Sequence, residues 1–253
     1  MIRILFHLHG DLPTLTTPPY PLNPSREVPS PTSVKDAVEA LGIPHTEIDL
    51  LLVDQQPVDF GYLVADGDRI EVHPVPEPEG KEPLWAEARL QPRPLFSKSF
   101  ICDQHLGKLA RFLRLLGFDT TYHLSGTEEE IERLANAEER SVLTCNRSLL
   151  KRKSVTHGRL IRSRHPDLQA EEVVRRFRLA DHIVLFDRCC VCNGELTAVT
   201  KASVLSRIPP RTRQWRDEYY CCRRCDHLYW EGTHVAALRQ RIASILAAAQ
   251  ESP

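Results

Sequence analysis

Two cysteine pairs, Cys189 with Cys192 and Cys222 with Cys225, constrain this chain more tightly than any other feature. Each pair has C-x2-C spacing, and 29 residues separate the pairs. A C-x2-C on a tight turn aims two thiolates at one point, so two such knuckles complete a tetrahedral four-sulfur site for a structural metal, Zn2+ before others. Four thiolates leave no open coordination position, which argues against a catalytic zinc. Disulfide pairing is the competing reading. It needs an oxidising compartment, and the start MIRILFHLHGDLP has neither a long apolar core nor a small-residue cleavage site. The cytoplasm is the expected location. Six cysteines crowd into 37 residues here, and Cys190 and Cys221 read as bystanders. The spacing leaves room for a β-ribbon over 188–231.

Charge divides the rest of the chain. The formal net charge of −1 hides 6 Lys+Arg against 15 Asp+Glu in residues 1–90 and 27 against 19 in residues 91–253. The second half suits a polyanionic partner and the first does not. Proline marks the same boundary, with 15 of 19 prolines before residue 95. The stretch 73–94 reads as a semi-rigid, partly polyproline linker, placed at 77–96, and 13–31 as an irregular surface loop or extended insert. With 42% hydrophobic and 26% charged residues and a mean hydropathy of −0.33, the composition is that of an ordinary globular protein. No apolar run approaches the roughly 20 residues that span a bilayer, so no membrane partner is expected.

In the acidic part, alternating Ile2, Ile4, Phe6 and Leu8 predict a strand. SVKDAVEALGI predicts a helix capped by Ser33 and stopped by Gly42, and EIDLLLVDQQPV and DGDRIEVHPV predict further strands. This order over residues 1–76, with the late LVADGDRIEVHP, resembles the ubiquitin-like β-grasp domains related to sulfur carriers. Those carriers act through a terminal Gly-Gly, whereas HPVPEPEG and a long continuation follow here. Conjugation chemistry is therefore not expected, and a structural or recruiting module with a protein partner is.

After the linker, KSFIC, FDTTYH, SVLTC and GRLIRS read as short strands between the helical stretches 104–117, 127–140 and 168–180. Alternation of this kind predicts a parallel sheet covered by helices, an α/β domain over 97–187, with chemistry at the carboxyl ends of the strands. Asp103 and Asn146 fall there. Residues 140–178 hold 11 Lys+Arg against Asp167, Glu171 and Glu172, and RIPPRTRQWRDEYYCCRR mixes arginines with Trp215, Tyr219 and Tyr220. Phosphate contacts plus base stacking make nucleic acid the expected partner, or else these are solvated faces. A closing helix is expected over 232–253.

SFICDQHLGKLARFLRLLGFDTTYH, SVLTCNRSLLKR, RCCVCNGEL and CCRRCDHLYWEGTH, in this order over about 98–238, resemble the Mut-seven C-terminal ribonuclease family, a PIN-like nuclease fold extended by a zinc ribbon. Members with a ubiquitin-like domain in front match the whole architecture. The resemblance implies metal-dependent, endonucleolytic RNA cleavage by acidic residues that hold Mg2+ or Mn2+. Asp103 is the best-placed ligand, and Glu128 or Glu129 the second acid. Their competing readings are a helix cap and favourable placement at a helix N-terminus. Lys108, Arg111, Arg147, Lys151, Arg152, Lys153, Arg213 and Trp215 are the candidate RNA contacts. The sequence departs from the family at the third acidic position, where Thr144-Cys145-Asn146-Arg147 stands for the usual Thr-Arg-Asp-Arg. Asn146 offers a carbonyl oxygen but neither charge nor basicity. A weakened or inactive RNA-binding module is thus the alternative expectation.

Overall fold

The computed structural model describes residues 1–75, 88–91, 98–122, 126–232 and 235–250. Most of the expected linker, together with His123 and His234, lies outside these. The chain forms two compact units, Met1–Phe96 with Thr127–Leu160 and Ser97–Gly126 with Ile161–Pro253. Residues 127–160, which the sequence groups with 97–187, thus belong to the first unit.

The first unit opens with β1 (Ile2–Leu8), β2 (Ser25–Val28), α1 (Val34–Glu39), β3 (Ile48–Val53), β4 (Gln56–Val58) and β5 (Arg69–Pro74). The sheet order is β2-β1-β5-β3-β4, with β1 and β5 parallel and the other neighbours antiparallel, the β-grasp arrangement. Ile4, Phe6 and Leu8 of β1 and Ile70 and Val72 of β5 turn to the core with Val34 and Val38 of α1. Ser33 caps α1 by accepting a hydrogen bond from Asp36 N at 3.1 Å, and Gly42, at φ +96°, takes the left-handed turn that ends the helical segment. One expectation fails. The proline-rich stretch 13–31 is not wholly irregular: Ser25–Val28 pairs with β1, and Leu15 is buried. An edge strand needs one ladder only, so flanking prolines, which obscure any periodicity, do not exclude it.

The chain continues with β6 (Phe100–Cys102), α2 (Gly107–Leu115), β7 (Thr120–Tyr122), α3 (Glu128–Ala137), β8 (Ser141–Thr144), α4 (Arg147–Lys151), β9 (Gly158–Leu160) and α5 (Pro166–Phe177). The pairs β6–β7 and β8–β9 are parallel, and helices alternate with the strands, as the α/β reading requires. Residues 127–160 are bound to the β-grasp part by buried polar contacts. Glu47 Oε1 accepts from Leu160 N at 2.7 Å, and Glu47 Oε2 pairs with the Arg159 guanidinium. His45 bridges Glu39 Oε1 at 2.8 Å and Val155 O at 3.1 Å. The linker segment does the same on its own side, where Arg89 pairs with buried Asp49 at 3.1 Å and Leu90 N donates to Asp49 O at 2.7 Å.

In the second unit, β10 (Leu196–Val199), β11 (Tyr219–Cys222) and β12 (Leu228–Tyr229) form an antiparallel sheet, and α6 (Val235–Gln250) follows. Val204, Ile208 and Tyr219 make a small core with Leu228 and Trp230 against it. Arg241 of α6 donates from Nε to Asp167 at 2.8 Å and lies 5.0 Å from the Phe112 ring centre. No described helix is long and apolar enough to cross a membrane.

Candidate metal centre and nucleic-acid interface

The two cysteine pairs meet. The Sγ atoms of Cys189, Cys192, Cys222 and Cys225 all lie within 4.8 Å of one another, with 189–225 at 3.6 Å and 192–222 at 3.4 Å. A tetrahedron with metal–sulfur bonds of about 2.3 Å has edges of about 3.8 Å, so this donor set fits a metal ion such as zinc. The knuckles are shaped by Asn193 and Asp226, both at positive φ, and by amide groups aimed at sulfur: Arg224 N and Cys225 N point to Cys222 Sγ at 3.4 and 3.5 Å. A Cβ on Gly194 would lie 2.9 Å from Cys222 Sγ, which explains a glycine there.

The protonation pattern fits a cation site. Burial raises the Cys189 pKa, but hydrogen bonds from Tyr229, the amides of Cys192 and Val191 and the Cys225 thiol outweigh it and bring the value down to about 6. At Cys225 the amide of His227 favours the thiolate, yet burial and the three neighbouring thiols push the value up to about 12. Cys192 is raised as well, chiefly by burial. One negative charge forms easily and the next ones do not, so a tetrathiolate needs a positive ion at its centre. Cys190 and Cys221 stay outside the cluster.

Cys190 and Val191 also border a cavity of about 720 Å3 that Lys108, Arg111, Arg114, Arg164, His105 and Tyr122 line. Arg114 is buried, and burial lowers its pKa; it donates to Thr120 O at 2.8 Å and Val191 O at 3.1 Å, tying the first knuckle to β7. Lys108 and Arg111, candidates from the sequence, give the cavity its positive charge together with Arg164. Sequence reasoning singled out neither Arg164 nor Tyr122, although Arg164 lies inside the basic stretch 140–178. Asp103 is buried at the end of β6, and its Oδ1 accepts from His105 N at 2.8 Å.

In the first unit, Glu128 opens α3 and meets Asn146, the cap of α4. Asn146 Nδ2 donates to Glu128 Oε1 at 2.5 Å, and Ser148 Oγ donates to the same oxygen at 2.5 Å. Glu129 turns instead to Arg152 at 2.9 Å, and helix-end amides, Thr127 and Arg152 hold its carboxyl below the usual range. Arg152 also pairs with Glu132. Arg147 donates to Leu15 O at 3.2 Å and Lys151 to the Glu39 carbonyl, both in the β-grasp part. Lys153 is exposed. In the ribbon, Arg213 Nε donates to Ile208 O at 2.8 Å, and Trp215 is half exposed with Arg216 4.9 Å from its ring centre.

A β-grasp fold, parallel α/β pairs and a four-cysteine ribbon beside a basic cavity define a mixed α/β protein with a ubiquitin-like N-terminal region. The chain belongs to the family described as the Mut7-C RNAse domain, which matches residues 98–242. The Mut7-C ubiquitin family matches residues 2–79. Two crystal structures of small archaeal modifier protein 1 from Haloferax volcanii are similar to part of the chain. One is 19% identical over 29% of this chain and 98% of that chain, with a TM-score of 0.25. The other is 20% identical over 31% and 99%, with a TM-score of 0.26. No curated protein matches the chain.

Proposed function

We propose that this protein is a metal-dependent ribonuclease that cuts RNA endonucleolytically in the cytoplasm, with Zn2+ as a structural ion in the ribbon. The observation that carries the reading is the basic cavity of Lys108, Arg111 and Arg164 in a family whose description is ribonuclease. Its size and charge suit a nucleotide phosphate with part of its base or sugar. Asp103 is the proposed ligand of a divalent cation, and Glu128 is proposed as an acidic residue of the nuclease by the family resemblance alone. A bound Mg2+ or Mn2+ supplies neutralisation of the developing phosphoryl charge and an acidified water. The chain's residues orient: Lys108 and Arg111 hold phosphate, Tyr122 and Trp215 offer stacking surfaces, and His105 N holds the Asp103 carboxylate in place through its hydrogen bond. The ubiquitin-like domain is the proposed site for a protein partner.

A second reading rests on the bond between Asn146 and Glu128. An amide in that position satisfies the carboxylate by donating to it, which a second carboxylate cannot do, so the pair is at rest without a cation. On this reading the protein is an RNA-binding module on a disarmed nuclease. Cleavage of structured and single-stranded RNAs with Mg2+ or Mn2+ separates the two, using wild type, Asp103→Asn and Asn146→Asp. Metal-dependent cutting that Asp103→Asn abolishes supports the nuclease. RNA binding without cutting, with activity gained in Asn146→Asp, refutes it in favour of the module.

A further inference from the structure

The outer face of the β-grasp sheet carries a second constellation of metal-ligating groups, distant in sequence from the cysteines. β1 and β5 are parallel neighbours with His7 opposite Glu71 and Leu8 opposite Val72. His9 N donates to Val72 O at 3.0 Å, so the register persists one residue past β1. Because side chains alternate along a strand, the buried set of Phe6, Leu8, Ile70 and Val72 leaves His7, His9, Glu71 and His73 on the opposite face. H-x-H on one strand and E-x-H on the next thus form a two-by-two patch. His9 Nε2 and His73 Nε2 both turn to one oxygen, Glu71 Oε2, at 3.1 and 3.7 Å. The two imidazoles stack with ring centres 3.9 Å apart and planes 11° apart, and His7 meets His9 edge-on at 4.4 Å.

We propose that His9, Glu71 and His73 form a binding site for a divalent first-row metal ion of the zinc class. The donor atoms all lie within 4.8 Å of one another. Ligand atoms about 2.0–2.1 Å from a tetrahedral ion stand about 3.3 Å apart, so rotation of the two imidazoles about their side-chain torsions, with the Glu71 oxygen between them, would close the set. Two imidazoles and a carboxylate select Zn2+, Ni2+, Co2+ or Cu2+ over Mg2+ or Ca2+, which prefer oxygen throughout. The side chains are 31, 34 and 14% exposed for His9, Glu71 and His73, which leaves an entry path and room for water at the remaining position. Both imidazoles converge on one carboxylate oxygen, a donor set that a cation would share.

The test is a Co2+ titration of the full metal-free chain, because cobalt reports its ligands. The ribbon site gives intense thiolate-to-cobalt charge-transfer bands, and a His/His/Glu site gives only weak ligand-field bands. In excess Mg2+, which fills any oxygen-donor site such as that proposed at Asp103, wild type is expected to take up two equivalents of Co2+, one of each kind, and Zn2+ is expected to displace both. Glu71→Gln, which keeps the side-chain shape, and His9→Asn are expected to weaken the second equivalent by more than about tenfold, since even outer-shell partners cost 10–100-fold. The thiolate bands stay unchanged in both variants, which also reports that the chain is folded. Uptake of the thiolate equivalent alone by wild type overturns the proposal, as does a second equivalent of wild-type affinity in both variants.

Discussion

Glu47→Gln probes the joint between the β-grasp part and residues 127–160. The Glu47 side chain is 1% exposed and its partner Arg159 6%. An amide keeps the bond from Leu160 N through its oxygen but turns an NH2 toward the guanidinium, leaving a buried positive charge without its counter-ion. Breaking a buried pair in this way costs about 3–5 kcal/mol. Asp11, 3.7 Å from Arg159 and more exposed, offsets part of this, which places the expected loss at the lower end, about 3 kcal/mol. At 1.4 kcal/mol per tenfold, hydrogen exchange in peptides that cover β9 should quicken by about 100-fold under conditions where exchange follows the opening equilibrium. The Leu160 amide is the direct reporter. The double variant Glu47→Gln with Arg159→Met removes both charges while keeping an oxygen for Leu160 N, and it should recover most of the loss because desolvation of two ions is no longer required. Exchange in Glu47→Gln within about fivefold of wild type, or a double variant as labile as the single one, would refute the account of this pair.

Other perturbations test the remaining readings. Lys108→Ala combined with Arg111→Ala should weaken binding of RNA of any sequence and lower the salt slope by about 1 for each phosphate no longer neutralised, measured by fluorescence anisotropy across salt concentrations. Gly194→Ala places a methyl against Cys222 Sγ and Arg224 Cβ, so zinc affinity measured by chelator competition should fall while exchange protection in the β-grasp part holds. Metal uptake by the ribbon should release protons and strengthen as pH rises. At pH 7.5 Cys189, with its pKa of about 6, is already a thiolate, while Cys225, at about 12, and the raised Cys192 arrive protonated. Calorimetry in buffers of different ionisation enthalpy reads this directly, and zero proton release contradicts it.

Local pattern made some of the molecule legible. Two C-x2-C pairs carry their own geometry, since a knuckle is a short-range turn, and their convergence needed only an antiparallel ribbon between them. The helix from Ser33 and the acidic opening of α3 were readable because caps and apolar spacing act within a few residues. β2 was not readable, because an edge strand takes its partner from β1 rather than from its own alternation. The basic run Lys151-Arg152-Lys153 shows the same limit. Sequence gives charge but not its partners, and Lys151 meets the Glu39 backbone carbonyl while Arg152 meets Glu129 and Glu132.

What the sequence alone determined is therefore most of the helices and inner strands and the four-cysteine site, all products of short-range stereochemistry. Tertiary structure alone decided which charges are buried against each other, that Arg164 joins Lys108 and Arg111 around one cavity, and that His9, Glu71 and His73 converge across a parallel strand pair. Residues 9 and 71 stand 62 positions apart, and no local rule of spacing couples them. Only the closing of β1 on β5, driven by burial of the apolar faces beneath, brings them into reach.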